Sequence, residues 1–186
     1  MAMKLTTEAV KMRFPGVSNM STDELLQLIR QESSKLLLLD VREEKEFQVS
    51  HLCKAHHINP SQKDLEKVIK LIGESGASIG EPVTVVCYCS LGYRSSALAQ
   101  QLAYELDKPV HQELKSKTVI YNLEGSIFKW ANEGKDLEDN KGRKTVYVHP
   151  YNIVWGKLLN AELRSSEPCE SRQETAMQTS LTEAKM

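Results

Sequence analysis

The chain has 186 residues, and its 24 Lys and Arg nearly balance 25 Asp and Glu, for a formal net charge of −1. That length holds one well-buried domain with extensions, and the balanced charge excludes long-range attraction to nucleic acid or to an anionic membrane. No stretch approaches the roughly 20 apolar residues of a membrane span, and residues 1–13 lack the apolar core of a secretion signal.

Lys4, Lys11 and Arg13 give this segment some basic character, but it is short and carries Glu8, which argues against an organelle transit peptide. Residues 1–20 show little periodicity and contain Pro15-Gly16, so they read as a lead-in with room for one short edge strand. Ser21-Thr22-Asp23-Glu24 has the capping-box pattern, and Leu25, Leu26, Leu28 and Ile29 follow at helical spacing, which predicts a helix near 22–31. The run from Lys35 to Val41 is short and continuously apolar, as in a buried parallel strand. A polar helical turn over 43–49 and a weaker strand over 55–58 come next. Pro60-Ser61 opens a helix with Leu65, Val68, Ile69 and Ile72 on one face, and Gly73, Gly76 and Gly80 mark a loop. Residues 82–89 form the strongest strand pattern, and 95–106 a helix with Leu98, Leu102 and Leu106 at spacing four. A strand over 118–122 precedes a helix that turns Ile127, Trp130 and Ala131 inward and stops at Gly134.

Strands alternating with helices at this interval predict an α/β protein with a central parallel β-sheet flanked by helices on both faces. The expected domain spans 21–136. A short C-terminal extension over 137–163 follows, with a strand at 145–148 and a short helix at 154–163. From Arg164 the chain is rich in Ser, Glu and Thr, the composition of a disordered tail.

The chemistry concentrates where an apolar β-branched run meets Cys89-Ser90-Leu91-Gly92-Tyr93-Arg94-Ser95 and then a helix. Ligands of parallel sheets sit at the carboxyl ends of strands. A thiol there meets backbone N–H groups, a positive helix end and a guanidinium, all of which favour the thiolate. Cys89 is therefore the candidate nucleophile. Gly92 stands where the loop needs a positive φ or a close backbone approach. Cys53, Cys87, Cys89 and Cys169 show neither a disulfide framework nor a zinc spacing, which fits a reducing compartment, most simply the cytosol. No metal or cofactor is called for.

Four separated motifs carry a resemblance. They are Asp40-Val41-Arg42-Glu43 with Glu46-Phe47, then His51-Leu52 through Ala55 with Ile58-Asn59, the Cys89 loop, and Asn122-Leu123-Glu124-Gly125 leading to Trp130. In order and spacing the chain resembles a rhodanese-type domain of the sulfurtransferase family over about residues 20–136. That resemblance implies attack of Cys89 on the outer sulfur of a donor such as thiosulfate. The resulting persulfide passes its sulfur to cyanide, a thiol or a protein thiol. It implies a binding loop of Ser90, Leu91, Gly92, Tyr93, Arg94 and Ser95, with the Arg94 fork on the donor's sulfonate. Four residues separate Cys89 from Arg94, whereas phosphatases of this fold place five, which favours sulfur over phosphate or arsenate. A non-catalytic interaction module of the same family is the alternative.

Two departures stand out. Leu52-Cys53-Lys54 occupies a turn where the family usually has Pro and Gly, and Ser126 replaces a second glycine. Asp40 and Arg42 either orient the loop or form a structural ion pair closing the strand end. Glu46 and His51 read as structural, and adjacent His56 and His57 point to opposite strand faces, against one shared metal. Cys53 reads as a core or surface thiol rather than a partner of Cys89. For His149-Pro150-Tyr151-Asn152 a packing or linker role outweighs covering the mouth of the site.

Overall fold

The computed structural model describes residues 1–31, 35–61, 64–75 and 82–168. In chain order the elements are α1 (Ala2–Arg13), β1 (Asn19–Met20), α2 (Thr22–Arg30), β2 (Leu36–Asp40), α3 (Glu44–Val49), β3 (His56–His57) and α4 (Leu65–Ser75). Then follow β4 (Val83–Tyr88), α5 (Tyr93–Leu106), α6 (Gln112–Ser116), β5 (Thr118–Leu123), α7 (Ser126–Asn132), β6 (Leu137–Glu138) and β7 (Lys144–Thr145). The main sheet has five parallel strands in the order β1-β5-β4-β2-β3, the α/β architecture expected from the sequence.

Period-two alternation divides β4 between two cores. Val83, Val85 and Cys87 face Val68 and Ile72 of α4 and Leu98, Leu102 and Leu106 of α5. Val86 and Tyr88 face the opposite layer, with Leu25 of α2 and Ile127, Phe128 and Trp130 of α7. Both faces are dry, which is why β2 and β4 read as continuous apolar runs. The capping box at the start of α2 is formed, with Ser21 and Glu24 each satisfying the other's backbone N–H.

Several expectations are corrected. Residues 1–20 are more than a lead-in, since α1 occupies twelve of them. Its pattern is weak because only Thr7 and Val10 are buried, while Leu5 and Met12 face solvent. The expected edge strand is β1. Helix α5 starts at Tyr93, not Ser95, which places Arg94 and Ser95 in its first turn. In place of a strand at 145–148, β6 and β7 form an antiparallel hairpin and Val148 makes an isolated bridge to Arg164. The short helix at 154–163 is two separate 3-10 turns, Trp155–Leu158 and Ala161–Leu163.

Arg164 and Ser165, expected to open the tail, are held against the domain. The Ser165 N–H donates to Val148 O at 3.0 Å, the Arg164 guanidinium donates to Leu159 O, and Ser165 is buried. Gly76, Gly80, Cys169 and the rest of the expected tail from 169 onward lie outside the described residues. Among the described residues, no helix is long and apolar enough to cross a membrane.

Candidate active site

Cys89 follows directly on β4, with Leu91 beyond it at the surface of the core, and Gly92 caps α5. Gly92 has φ +110°, a conformation that favours glycine. A Cβ there would also press on Asn122 Nδ2 at 3.3 Å, and it would make an ordinary contact with Val10 of α1 at 3.6 Å. The turn aims the Gly92 N–H at Cys89 Sγ, 3.1 Å away. Burial pushes the Cys89 thiol up. The Arg94 charge, the Ser95 hydroxyl and N–H, and the Gly92 N–H outweigh it, so the thiol titrates below its ordinary value. In the structure the Ser95 hydroxyl donates to Asn122 Oδ1 at 2.7 Å. Cys87, two residues back in the dry core, behaves oppositely, and burial with the neighbouring Cys89 pushes it up to about 12.

The loop is held from beneath by α7. The N–H groups of Ile127 and Phe128 donate to the carbonyls of Cys89 and Ser90, and the Cys89 N–H donates to Ser126 Oγ at 3.1 Å. Ser126, with φ +52°, keeps the left-handed backbone of the glycine it replaces and adds a hydroxyl that fixes Cys89. Lys54 likewise takes the left-handed position of its turn, at φ +61°, and the Ala55 N–H closes that turn on Leu52 O at 3.0 Å. Both departures therefore sit in backbone conformations that favour glycine.

Arg94 does not present its chelating edge to the open cavity. Its Nη1 and Nη2 donate to the two carboxylate oxygens of Glu46 at 2.8 and 3.0 Å, and Nη2 also donates to Ser90 Oγ at 2.9 Å. Ser90 Oγ in turn donates to Glu46 Oε1 at 2.9 Å. Burial alone would raise the Glu46 pKa, but Arg94 and Arg42 hold it below the usual carboxylate range. Glu46, read from the sequence as structural, is therefore the residue that latches the loop. Asp40 and Arg42 form a separate, fully buried pair at the end of β2: Arg42 Nε and Nη2 reach Asp40 at 2.8 and 2.6 Å, and Nη2 reaches Ser50 O at 2.6 Å. They tie the α3 turn to the strand end, and the Arg42 charge also acts on Glu46.

A cavity of about 330 Å³ opens over Cys89. Ser90, Leu91, Tyr93 and Arg94 form its base, α1 supplies Thr6, Ala9, Val10 and Arg13, and the segment after β7 supplies Tyr151 and Trp155. Gly92 and Ser95 are absent from the walls, and Gly92 meets the thiol through its N–H. The sequence reading missed the α1 wall and ranked the Tyr151 segment as packing or linker. In the structure Tyr151 sits over the Arg94 guanidinium, 4.7 Å from ring centre to carbon. Cys53 is exposed and absent from the cavity walls, and burial together with Glu138 raises its thiol. His57 binds Arg42 O and Glu44, and no group of three metal-ligating side chains occurs among the described residues.

His149 accepts the Tyr151 N–H through Nδ1 at 3.0 Å, and burial lowers its pKa from the ordinary 6.5. The neutral imidazole is therefore the form that fits. As pH falls through 6.5 the unfolded chain takes up a proton that the folded chain resists, so this residue withdraws stability on the acid side. In His149→Gln, the dependence of folding stability on pH, read from denaturant melts at stepped pH, is expected to become shallower between neutral and mildly acidic pH.

The structure is a parallel α/β sheet with a cysteine loop wound between a strand end and a helix N-terminus. Residues 21–133 match the family model of the rhodanese-like domain, and the chain belongs to that family. Among solved structures, a yeast protein tyrosine phosphatase of the rhodanese family superposes with a TM-score of 0.55 at 20% identity, covering 62% of this chain and 85% of that one. A Pseudomonas aeruginosa thiosulfate sulfurtransferase gives 0.54 at 18% identity, with 76% of this chain but only 23% of that one. An As-Sb reductase from Leishmania major gives 0.54 at 14%, over 69% and 92%. At these identities the likeness is one of fold.

Proposed function

We propose that the protein is a sulfurtransferase that carries sulfane sulfur on Cys89, working in a reducing compartment, the cytosol. The observation that carries the reading is a buried thiol titrating below its ordinary value at the floor of an open cavity, with the Gly92 N–H aimed at its sulfur. The Cys89 thiolate attacks the outer sulfur of thiosulfate. A bond forms from Sγ to that sulfur, the bond to the sulfonate breaks, and sulfite leaves with the electron pair. Cyanide, a small thiol or a protein thiol then attacks the outer persulfide sulfur and returns Cys89 as thiolate. The loop N–H groups and the α5 terminus stabilise the anionic sulfur at each stage.

Because Glu46 occupies the chelating edge of Arg94, that guanidinium acts mainly through its charge and as a strut for Ser90, and the loop amides carry more of the donor's negative charge. Phosphate-ester hydrolysis is disfavoured by the same latch. Glu46, the carboxylate touching the loop, is ionised and locked between Arg94 and Ser90, with no proton for a leaving group.

The test is to mix reduced protein with thiosulfate, desalt it, and take intact and peptide masses beside Cys89→Ser. A gain of one sulfur localised to Cys89, discharged by cyanide as thiocyanate and absent from the variant, is expected. No adduct in the folded protein under excess thiosulfate would remove thiosulfate as donor and move weight to a binding module.

A further inference from the structure

The walls above Cys89 that are not the loop itself come from outside the family-matched residues 21–133. They are Thr6, Ala9, Val10 and Arg13 on one side and Tyr151 and Trp155 on the other. Both elements are fastened in place. Lys11 of α1 reaches Glu124 at 2.9 Å, and Phe14 packs edge-on against Tyr93 with ring centres 5.1 Å apart. On the opposite side, Asn152 Oδ1 accepts the N–H groups of Val154 and Trp155 at 3.0 and 2.9 Å, and the Gly156 N–H returns to Asn152 O at 2.9 Å. Gly156 packs so closely on Pro150 that an added Cβ would lie 2.8 Å from the proline's own. Tyr151 stands at φ +62°, a backbone conformation that non-glycine residues keep only where their surroundings impose it.

This turn places two aromatic rings at the cavity, and both retain surface to bury: Tyr151 is 41% exposed and Trp155 is 44% exposed. With Ala9, Val10, Leu91 and Tyr93 they make walls that are mostly hydrocarbon. A volume near 330 Å³ falls in the range of small-organic binding sites. A small inorganic oxyanion would fill a fraction of it and touch few of these groups.

We infer that Tyr151 and Trp155 are specificity-determining residues, and that the donor loading Cys89 is an organic sulfane-sulfur compound with an apolar, ring-sized body. This rests on the sulfur-transfer reading above. For a thiosulfonate, R–SO2–S⁻, the thiolate attacks the terminal sulfur. The bond from Sγ to sulfur forms, the sulfur–sulfonyl bond breaks, and the electron pair leaves on the sulfinate R–SO2⁻, so no oxidant or net proton is required. The ring lies between Trp155 and the α1 wall while the anionic sulfur reaches the loop amides beside Arg94.

Two readouts test this in the full chain. The first compares loading rates of Cys89 by benzenethiosulfonate and by methanethiosulfonate, followed by intact mass and normalised to the same ratio for glutathione. The second compares alkylation of Cys89 by N-benzyliodoacetamide and by iodoacetamide, normalised in the same way, and involves no sulfur transfer. Burying one ring predicts an aromatic preference of about tenfold in both. Trp155→Ala lowers it by about fivefold or more and Trp155→Phe keeps most of it, with thermal melts to establish that each variant is folded. A normalised preference within about twofold of unity, or one that Trp155→Ala leaves in place, overturns the inference. Loading by both thiosulfonates without preference keeps the sulfur-transfer reading and rejects the aromatic donor. Aromatic preference in alkylation with loading from neither thiosulfonate rejects sulfur transfer and the donor assignment with it.

Discussion

Asp40→Ala is expected to lower folding stability by about 3–5 kcal/mol, measured as the fall in denaturant midpoint at constant slope. The pair it breaks is wholly inside the protein, with the side chains of both Asp40 and Arg42 at 0% exposure. Burial by itself would lower the Arg42 pKa, and the charge and hydrogen bonds of Asp40 hold it above its ordinary value. Removing the carboxylate therefore leaves a guanidinium that can neither lose its proton nor reach water. Its bond to Ser50 O compensates for only one of its donors. Against a typical total of roughly 5–15 kcal/mol, the loss puts the domain near its unfolding threshold. The double variant Asp40→Leu with Arg42→Met is expected to recover much of the loss, because well-packed apolar side chains avoid desolvating two charges. If Asp40→Ala alone changes stability by less than about 1 kcal/mol, the pair is not closing the strand end as described.

The sheet was legible because its centre is written in long apolar runs. Leu36–Asp40 and Val83–Tyr88 are buried on both faces, so their pattern survives without knowledge of their neighbours. The Cys89 loop was legible for a related reason: its shape is carried by backbone, and Gly92 marks the place where the backbone takes a positive φ. The partners across space were not legible. Glu46 lies 44 residues from Ser90 and 48 from Arg94, and its motif marks it as structural without showing which side chains it holds. Helix α1 hides for a different reason, since it buries too little to impose a helical stripe and relies on Val10 and Phe14 packing against the loop. The Tyr151 turn depends on Asn152 capping, on Gly156 against Pro150 and on the His149 acceptor, a set of contacts that leaves no periodic trace in the sequence.

Glu46→Gln separates the two ways in which the latch can serve the cysteine. Glutamine keeps the size of the side chain but turns an amide donor toward Arg94, which itself only donates. Arg94 is 20% exposed at its side chain and can turn partly to water, so the expected loss of stability, about 2–3 kcal/mol, is smaller than for Asp40→Ala. With the carboxylate neutralised, less of the Arg94 charge is cancelled, and the pH at which Cys89 becomes alkylated is expected to stay or move lower. Sulfur transfer moves the other way. Ser90 and Arg94 lose their common anchor, the loop amides drift from the sulfur, and misplacement on the ångström scale costs kcat/KM about tenfold to a hundredfold. An unchanged or lower pH of alkylation together with slower sulfur transfer would show that Glu46 acts by holding geometry. A rise in kcat/KM with thiosulfate would show instead that Glu46 withholds Arg94 from the donor, and the latch would then be a restraint on activity rather than a support for it.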